Sequence, residues 1–259
     1  MRTSPVWSPK QYGTYAEERG RPFADLVGRV RADDVRTVVD LGCGPGNLTA
    51  ALRRRWPGAD VHGVDSSAEM VAQARALADE RLSFEVADLR EFRPVRPADV
   101  LLSNATLQWV PGHLDLLGAL AAQVGPGGWL AFQVPGNFGA PSHTLLETLA
   151  ADPRFAPYTG DAVRPGSHEP EVYLERLVGC GLRAQVWATT YLHVLTGPDP
   201  VLRWVSGTGA RPVLQALPDR LRAEFEGEYA AALREAYPAR DFGTVLPFRR
   251  IFAVAQRSA

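Results

Sequence analysis

Between Thr37 and Val134 the apolar residues switch repeatedly from short strand-like runs to longer stretches with helical spacing. That alternation restricts the fold more than any other feature of the chain. Thr37–Leu41, Asp60–Val64, Leu82–Ala87, Asp99–Ser103 and Gly128–Val134 read as strands. Asn47–Trp56, Ser67–Asp79 and His113–Val124 read as helices, the second with Ser66 or Ser67 as N-cap and Glu69 in its first turn. Strands joined through helices require a mostly parallel sheet covered on both faces, with right-handed crossovers. The expected class is α/β.

The first strand leads directly into Asp40-Leu41-Gly42-Cys43-Gly44-Pro45-Gly46, a turn with glycine at every second position. Such a turn lets the backbone approach a ligand where a Cβ would collide, and the helix start behind it presents free N–H groups. Flavin, nicotinamide and other nucleotide sites all share this kind of turn, so its neighbours must discriminate. Asp40 would repel a pyrophosphate and attract an ammonium group. Position 47 is Asn, so the last glycine of GxGxxG is missing and a nicotinamide-dependent oxidoreductase is a remote alternative. Asp65, 19 residues beyond Gly46, ends the second strand, where an acid accepts two hydrogen bonds from a ribose diol. Asp88 ends the third and can bond an adenine amino group. Acids at the carboxyl ends of successive strands line the crevice where open α/β sheets bind ligands. S-adenosyl-L-methionine suits them, carrying a sulfonium, an ammonium, a ribose diol and an adenine but no phosphate.

From Arg36 to Val134 the chain resembles the class I S-adenosylmethionine-dependent methyltransferases, whose first motif looks like Val38–Gly46. The resemblance implies a Rossmann-like, mostly parallel sheet of seven strands whose last strand, Arg249–Gln256 here, is antiparallel. One methyltransferase domain over 1–259 is expected, with a cofactor-binding core at 30–135; the Pro/Gly-rich turns after Pro135 and the long stretch between two late strands read as helical insertions at 136–180 and 196–246 forming a substrate cap. The cofactor candidates are Asp40, Gly42, Gly44, Gly46, Asp65, Ser66, Met70, Asp88 and Leu89. Asn104 and Ala105, after the fourth strand, join them for the methionine moiety, and Tyr12 and Arg19 for an amino-terminal segment that closes over the cofactor.

Further segments extend the likeness nearly end to end: Trp7 to Phe23, Ser103–Pro111, Gln133–Asn137, Pro141–His143, Trp187–His193 and Pro247–Phe252. Together they resemble the trans-aconitate methyltransferase family. That resemblance implies methylation of a carboxylate of trans-aconitate to a monomethyl ester. A carboxylate with a pKa of about 4 is ionised at neutral pH and needs no general base, so in-line positioning is the work required and no catalytic residue is expected. A polycarboxylate calls for cations and hydroxyls. The candidates are Trp109, His143, Tyr191, His193, Arg211 and Arg250, all but His193 with a structural reading beside it: core packing for Trp109 and Tyr191, a surface role for His143, solvation for Arg211, an ordinary ion pair for Arg250. Another small carboxylic acid, or a hydroxyl acceptor with His143 or His193 as base, is the alternative.

Composition sets the remaining bounds. A formal charge of −1 gives no electrostatic reason to expect nucleic acid or an acidic membrane as partner. Arg53-Arg54-Arg55 reads as a solvated helix face. The two cysteines, Cys43 and Cys180, form no CxxC pair, and no apolar run is long enough to span a bilayer. Met1–Lys10 lacks a signal-peptide core, so a cytoplasmic location is expected. The five histidines show neither HxH nor HExxH spacing, so no metal is expected, and a monomer is the default.

Overall fold

The computed structural model describes residues 16–259, with residues 16–19 as backbone alone. Tyr12 lies outside the described residues, and Arg19 falls on helix α1 (Ala16–Val27) with its side chain outside them. Then follow β1 (Thr37–Leu41), α2 (Asn47–Arg55), β2 (Asp60–Asp65), α3 (Ala68–Ala74), β3 (Leu82–Val86), β4 (Ala98–Asn104), α4 (His113–Ala122) and β5 (Val124–Pro135). The strand–helix alternation read from the apolar period is therefore present. The second helix is shorter than its pattern, because after Ala74 the chain tightens into a 3₁₀ turn, Arg75–Leu77.

The later elements are α5 (Pro141–Ala150), α6 (Ala156–Thr159), α7 (Pro170–Gly179), β6 (Leu182–Leu195), α8 (Pro200–Ser206), α9 (Arg211–Ala216), α10 (Asp219–Ala236), β7 (Ala239–Arg240) and β8 (Gly243–Arg257). The sheet order is β3-β2-β1-β4-β5-β8-β6, with β7 paired to β8. β1 lies parallel to β2 and β4, β2 to β3, and β4 to β5. Along β8 the sense reverses: Gly127 donates to Ser258 O and Gly136 to Arg249 O, so numbers rise on one strand as they fall on the other. Arg183 bonding Gln256 and Trp187 stacking on Phe252 show the same reversal between β6 and β8. The expected seven strands, with an antiparallel last, are joined by the two-residue β7. β8 also begins six residues before the Arg249 read from sequence, because Pro247 interrupts its pattern; the exposed proline is tolerated there at the cost of one donor.

The described chain falls into two compact units. One holds the residues up to Val134 together with His168–Thr189 and Arg250–Ala259. Its core packs Val39, Leu41, Leu101, Phe132 and Ile251 of the strands against Leu117 and Leu120 of α4 and Tyr173 and Leu177 of α7. Helix α7 falls in the 136–180 stretch grouped from sequence as insertion, yet it belongs to this unit. Its fully buried Tyr173 sets an edge against Phe132 at 5.3 Å and its hydroxyl meets His113 Nε2 at 2.7 Å. Since His113 Nδ1 faces the Val110 carbonyl at 3.3 Å, Nδ1 carries the proton and Tyr173 donates to Nε2. The other unit, Pro135–Ser167 and Thr190–Arg249, is mostly helical. Helices α5 and α10 are tied by the Tyr229 hydroxyl donating to Ser142 O and by Ser142 N–H donating to the Tyr237 hydroxyl at 3.0 Å.

Candidate functional site

The carboxyl ends of β1 and β2 converge on the glycine turn. Gly42 and Cys43 N–H groups donate to Val64 O at 2.7 and 3.0 Å, pulling the turn onto the end of β2. Gly42, Gly44 and Gly46 have φ of 80°, 54° and 82°, the left-handed region that favours glycine. At Gly42 space also forbids a side chain: a Cβ would stand 2.0 Å from Thr106 Oγ1. Asp65 stabilises the turn from outside. Its Oδ2 accepts from Gly44 N at 2.9 Å and its Oδ1 from Ser67 N at 2.8 Å, which leaves one lone pair on each oxygen. A diol needs just such a pair of acceptors. Ser66 is exposed between them, and Ser67 is the N-cap of α3, accepting from Met70 N at 3.3 Å.

Asp40 is 2% exposed, and its Oδ2 accepts from Thr49 Oγ1 at 2.7 Å. Burial raises its pKa to about 6, against the lowering effect of the Thr49 bond, and the nearby Asp65 charge adds to the rise. Among the described residues no cation forms an ion pair with it. A buried acid with no ion-pair partner among the described residues fits a ligand that brings a positive charge, as a sulfonium or ammonium does. Cys43, in the same turn, is buried, and desolvation first, then the Asp40 and Asp65 charges, push its thiol pKa up.

Ala87 N–H donates to Asp65 O at 3.1 Å, which brings the Asp88 turn beside β2. Asp88 itself is gripped by Arg90, whose Nε approaches Oδ1 at 2.9 Å and whose Nη2 bonds Oδ2, and this fork lowers its pKa. Leu89 is buried in the apolar core and Met70 is buried on α3. On the other side of the turn, Ser103 Oγ donates to Leu41 O at 3.0 Å, fixing the end of β4 against β1. Asn104 ends β4, and Ala105 follows with φ 54°, a left-handed conformation uncommon outside glycine, its N–H bonded to Gln133 O at 2.9 Å. Trp109, half-buried, closes the 3₁₀ turn Leu107–Trp109. Arg250 is 5% exposed on β8 and donates to Gln133 Oε1 at 3.3 Å.

The helical unit holds the other acceptor candidates. His143 is buried at the start of α5, with Ser142 Oγ 3.2 Å from its Nδ1 and Phe138 edge-on at 5.1 Å. Desolvation lowers its pKa to about 4, so it is neutral at physiological pH. Gly209 lies against its ring, where an added Cβ would stand 2.9 Å from Nε2, so His143 and the Gly209-Ala210-Arg211 turn are neighbours. Arg211, the first residue of α9, is buried. Tyr191 and His193 share a face of β6, their rings stacked at 6.3 Å, and His193 stacks on Trp204 at 4.6 Å. Among the described residues no group of His, Cys, Asp and Glu could hold a metal ion, and no helix is long and apolar enough to cross a membrane.

Sequence reading missed Thr49, Thr106 and Gln133, each buried or half-buried and bonded to a site residue. Thr49 carried a signal, a hydroxyl one turn into the helix that follows the loop. Gln133 carried a weaker one, an amide inside an otherwise apolar strand.

A family model described as a methyltransferase domain matches residues 15–165. A protein of Streptomyces avermitilis named trans-aconitate 2-methyltransferase is 52% identical, over 98% of this chain and 98% of its own. The chain belongs to the trans-aconitate 2-methyltransferase family. A family member of Mycolicibacterium gilvum is 49% identical over 97% of this chain and 99% of its own. Among solved structures, a putative methyltransferase from Bacillus halodurans has a TM-score of 0.58 at 13% identity, covering 93% of this chain and 100% of its own. The geranyl diphosphate C-methyltransferase of Streptomyces coelicolor, solved with S-adenosyl-L-homocysteine, has a TM-score of 0.55 at 17% identity, covering 96% and 82%. These two structures share the fold with the trans-aconitate 2-methyltransferase family member described here.

Proposed function

We propose that this chain transfers the methyl group of S-adenosyl-L-methionine to a carboxylate oxygen of trans-aconitate, giving a monomethyl ester and S-adenosylhomocysteine. The full-length 52% identity to a protein of that name carries the choice of acceptor. When bound, the cofactor supplies an electrophilic methyl on a sulfonium. Asp65, oriented by the Gly44 and Ser67 N–H groups, holds the ribose diol with its remaining lone pairs. Asp40 contributes negative charge toward the cationic end, and Gly42–Gly46 admit the cofactor to the backbone. Asp88 offers acceptor capacity toward the adenine beyond what Arg90 uses, and Tyr12 and Arg19 are the amino-terminal candidates for cofactor binding. Arg250 and Arg211 are the cations for the acid; neutral His143, with Tyr191, His193 and Trp109, supplies hydrogen bonds and apolar contact. The helical insertions at 136–180 and 196–246 supply His143 and Arg211 to acceptor binding.

An ionised carboxylate attacks without a base, so these residues act by orientation and by excluding water. A hydroxyl acceptor would ask His143 or His193 to take a proton, and a pKa of about 4 makes His143 a poor base at neutral pH. The test is to incubate the protein with methyl-labelled cofactor and trans-aconitate. The expected label enters the acid and is released by mild alkali. Alkali-stable label would replace the carboxylate with a hydroxyl acceptor, and tight NADH binding without S-adenosylhomocysteine binding would replace the cofactor.

A further inference from the structure

Three polar side chains form a hydrogen-bonded chain across β8, β5 and β4. Arg250 Nη1 donates to Gln133 Oε1 at 3.3 Å, and Gln133 Nε2 donates to Asn104 Oδ1 at 2.8 Å. Gln133, 1% exposed, is the register partner of Asn104, and its main-chain carbonyl takes the next N–H, that of Ala105. The two ends of an amide look alike by shape, so orientation is normally inferred from partners. Here charge decides it. A guanidinium only donates, so Gln133 must turn its oxygen toward Arg250. Its NH₂ is then what faces Asn104, and Asn104 must answer with its own oxygen. The Asn104 NH₂ is what remains for anything outside the chain, and Asn104 is half-buried, hence open to contact. A fixed charge on β8 thus sets the sign of the hydrogen-bonding group at the end of β4, two strands away.

We infer that Gln133 is a positioning residue that holds Asn104 as an obligate N–H donor, and that this donor reads a carboxylate. The inference rests on the methyltransferase reading. Asp40 and Asp65, at the carboxyl ends of β1 and β2, are acceptors suited to the ammonium and the diol. Asn104, ending β4, reverses the polarity and completes the match to a zwitterion or to an acid bound beside it. Both the methionine moiety of the cofactor and the acceptor acid carry the carboxylate this donor requires.

Gln133→Glu reverses the chain while keeping its length. One carboxylate oxygen still accepts from Arg250, the other accepts from the Asn104 NH₂, and Asn104 then presents its oxygen outward. Calorimetry on the free protein compares S-adenosylhomocysteine with an analogue lacking its carboxylate. Wild type should prefer the carboxylate form by about tenfold or more, the scale of a hydrogen bond to a charged group. If the cofactor carboxylate is the one read, Gln133→Glu loses that preference while its affinity for the decarboxylated analogue stays within about twofold. If the acceptor's is read, the preference stays and KM for trans-aconitate rises about tenfold or more instead, at constant cofactor affinity. Gln133→Met, which frees Asn104 to turn either way, should fall between wild type and Gln133→Glu, an order that mere loss of packing does not produce. Should Gln133→Glu not fold, Asn104→Asp makes the same reversal with Gln133 intact and should show the same loss. A wild-type carboxylate preference together with a wild-type KM for trans-aconitate in a folded Gln133→Glu or Asn104→Asp protein overturns the inference alone. Absence of S-adenosylhomocysteine binding by wild type overturns the methyltransferase reading and the inference with it.

Discussion

Asp65 and Asp40 are both acids at strand ends, but they have opposite relations to their surroundings. Asp65 is bonded by two backbone N–H groups, so Asp65→Ala should weaken cofactor binding by about 1.5–3 kcal/mol, measured by calorimetry with S-adenosylhomocysteine. Unchanged affinity would remove it from the diol. Asp40 is destabilised as an anion, its pKa raised from 3.8 to about 6 by burial. Folding therefore favours its protonated form; that contribution to stability is whole below about pH 4 and is lost as pH rises through about 6, some 3 kcal/mol in all. Asp40→Asn keeps an oxygen for Thr49 and removes the buried charge. The cofactor-free variant should show a higher denaturation midpoint than wild type at about pH 8, little difference at about pH 4, and weaker cofactor binding. Equal midpoints at both pH values would refute this account of Asp40. The positions of these two acids were legible in the sequence because each lies at the carboxyl end of a strand at a known distance from the glycines. Thr49 and Gln133 were not, because the sheet register and the helix turn choose their partners.

Among the elements, the β1–α2 connection tolerates least. In Gly42→Ala the new Cβ must displace Thr106 and adopt φ 80°, and these costs together should exceed about 2 kcal/mol in chemical denaturation. Thr106→Gly should restore only the steric part; full restoration would show that backbone strain contributes nothing. Helix α7 depends on one hydroxyl. Tyr173→Phe leaves His113 Nε2 and the His168 N–H, which donates to the Tyr173 hydroxyl at 3.2 Å, without that partner. A loss of about 1–3 kcal/mol is expected in the same measurement, and a neutral result would show that water replaces the hydroxyl. The first five strands were legible because helical spacing separates all of them but the third and fourth. The first half of β8 was hidden by Pro247, and β7 by a length too short for any period. Helix α7 could be recognised as a helix, but its placement depends on Tyr173 meeting Phe132 and His113, contacts between residues distant in sequence.

For the whole molecule, a reaction that needs no base should show kcat nearly level from about pH 7 to 9 with trans-aconitate, since the attacking carboxylate is ionised throughout. A tenfold rise per pH unit in that range would reveal a titrating base and reopen the hydroxyl alternative. The cofactor was legible from local chemistry, three glycines and the acids around them. The acceptor was legible only through likeness along the whole chain, because its candidate residues are scattered from Trp109 to Arg250 and no spacing links them. One further consequence follows from Cys43. Its thiol is buried and held protonated by desolvation and by the two acids beside it. Alkylating reagents and peroxide act on thiolates, so Cys43 should label with iodoacetamide more slowly in the folded protein than in the unfolded chain; equal rates would show that the loop does not hold the thiol protonated.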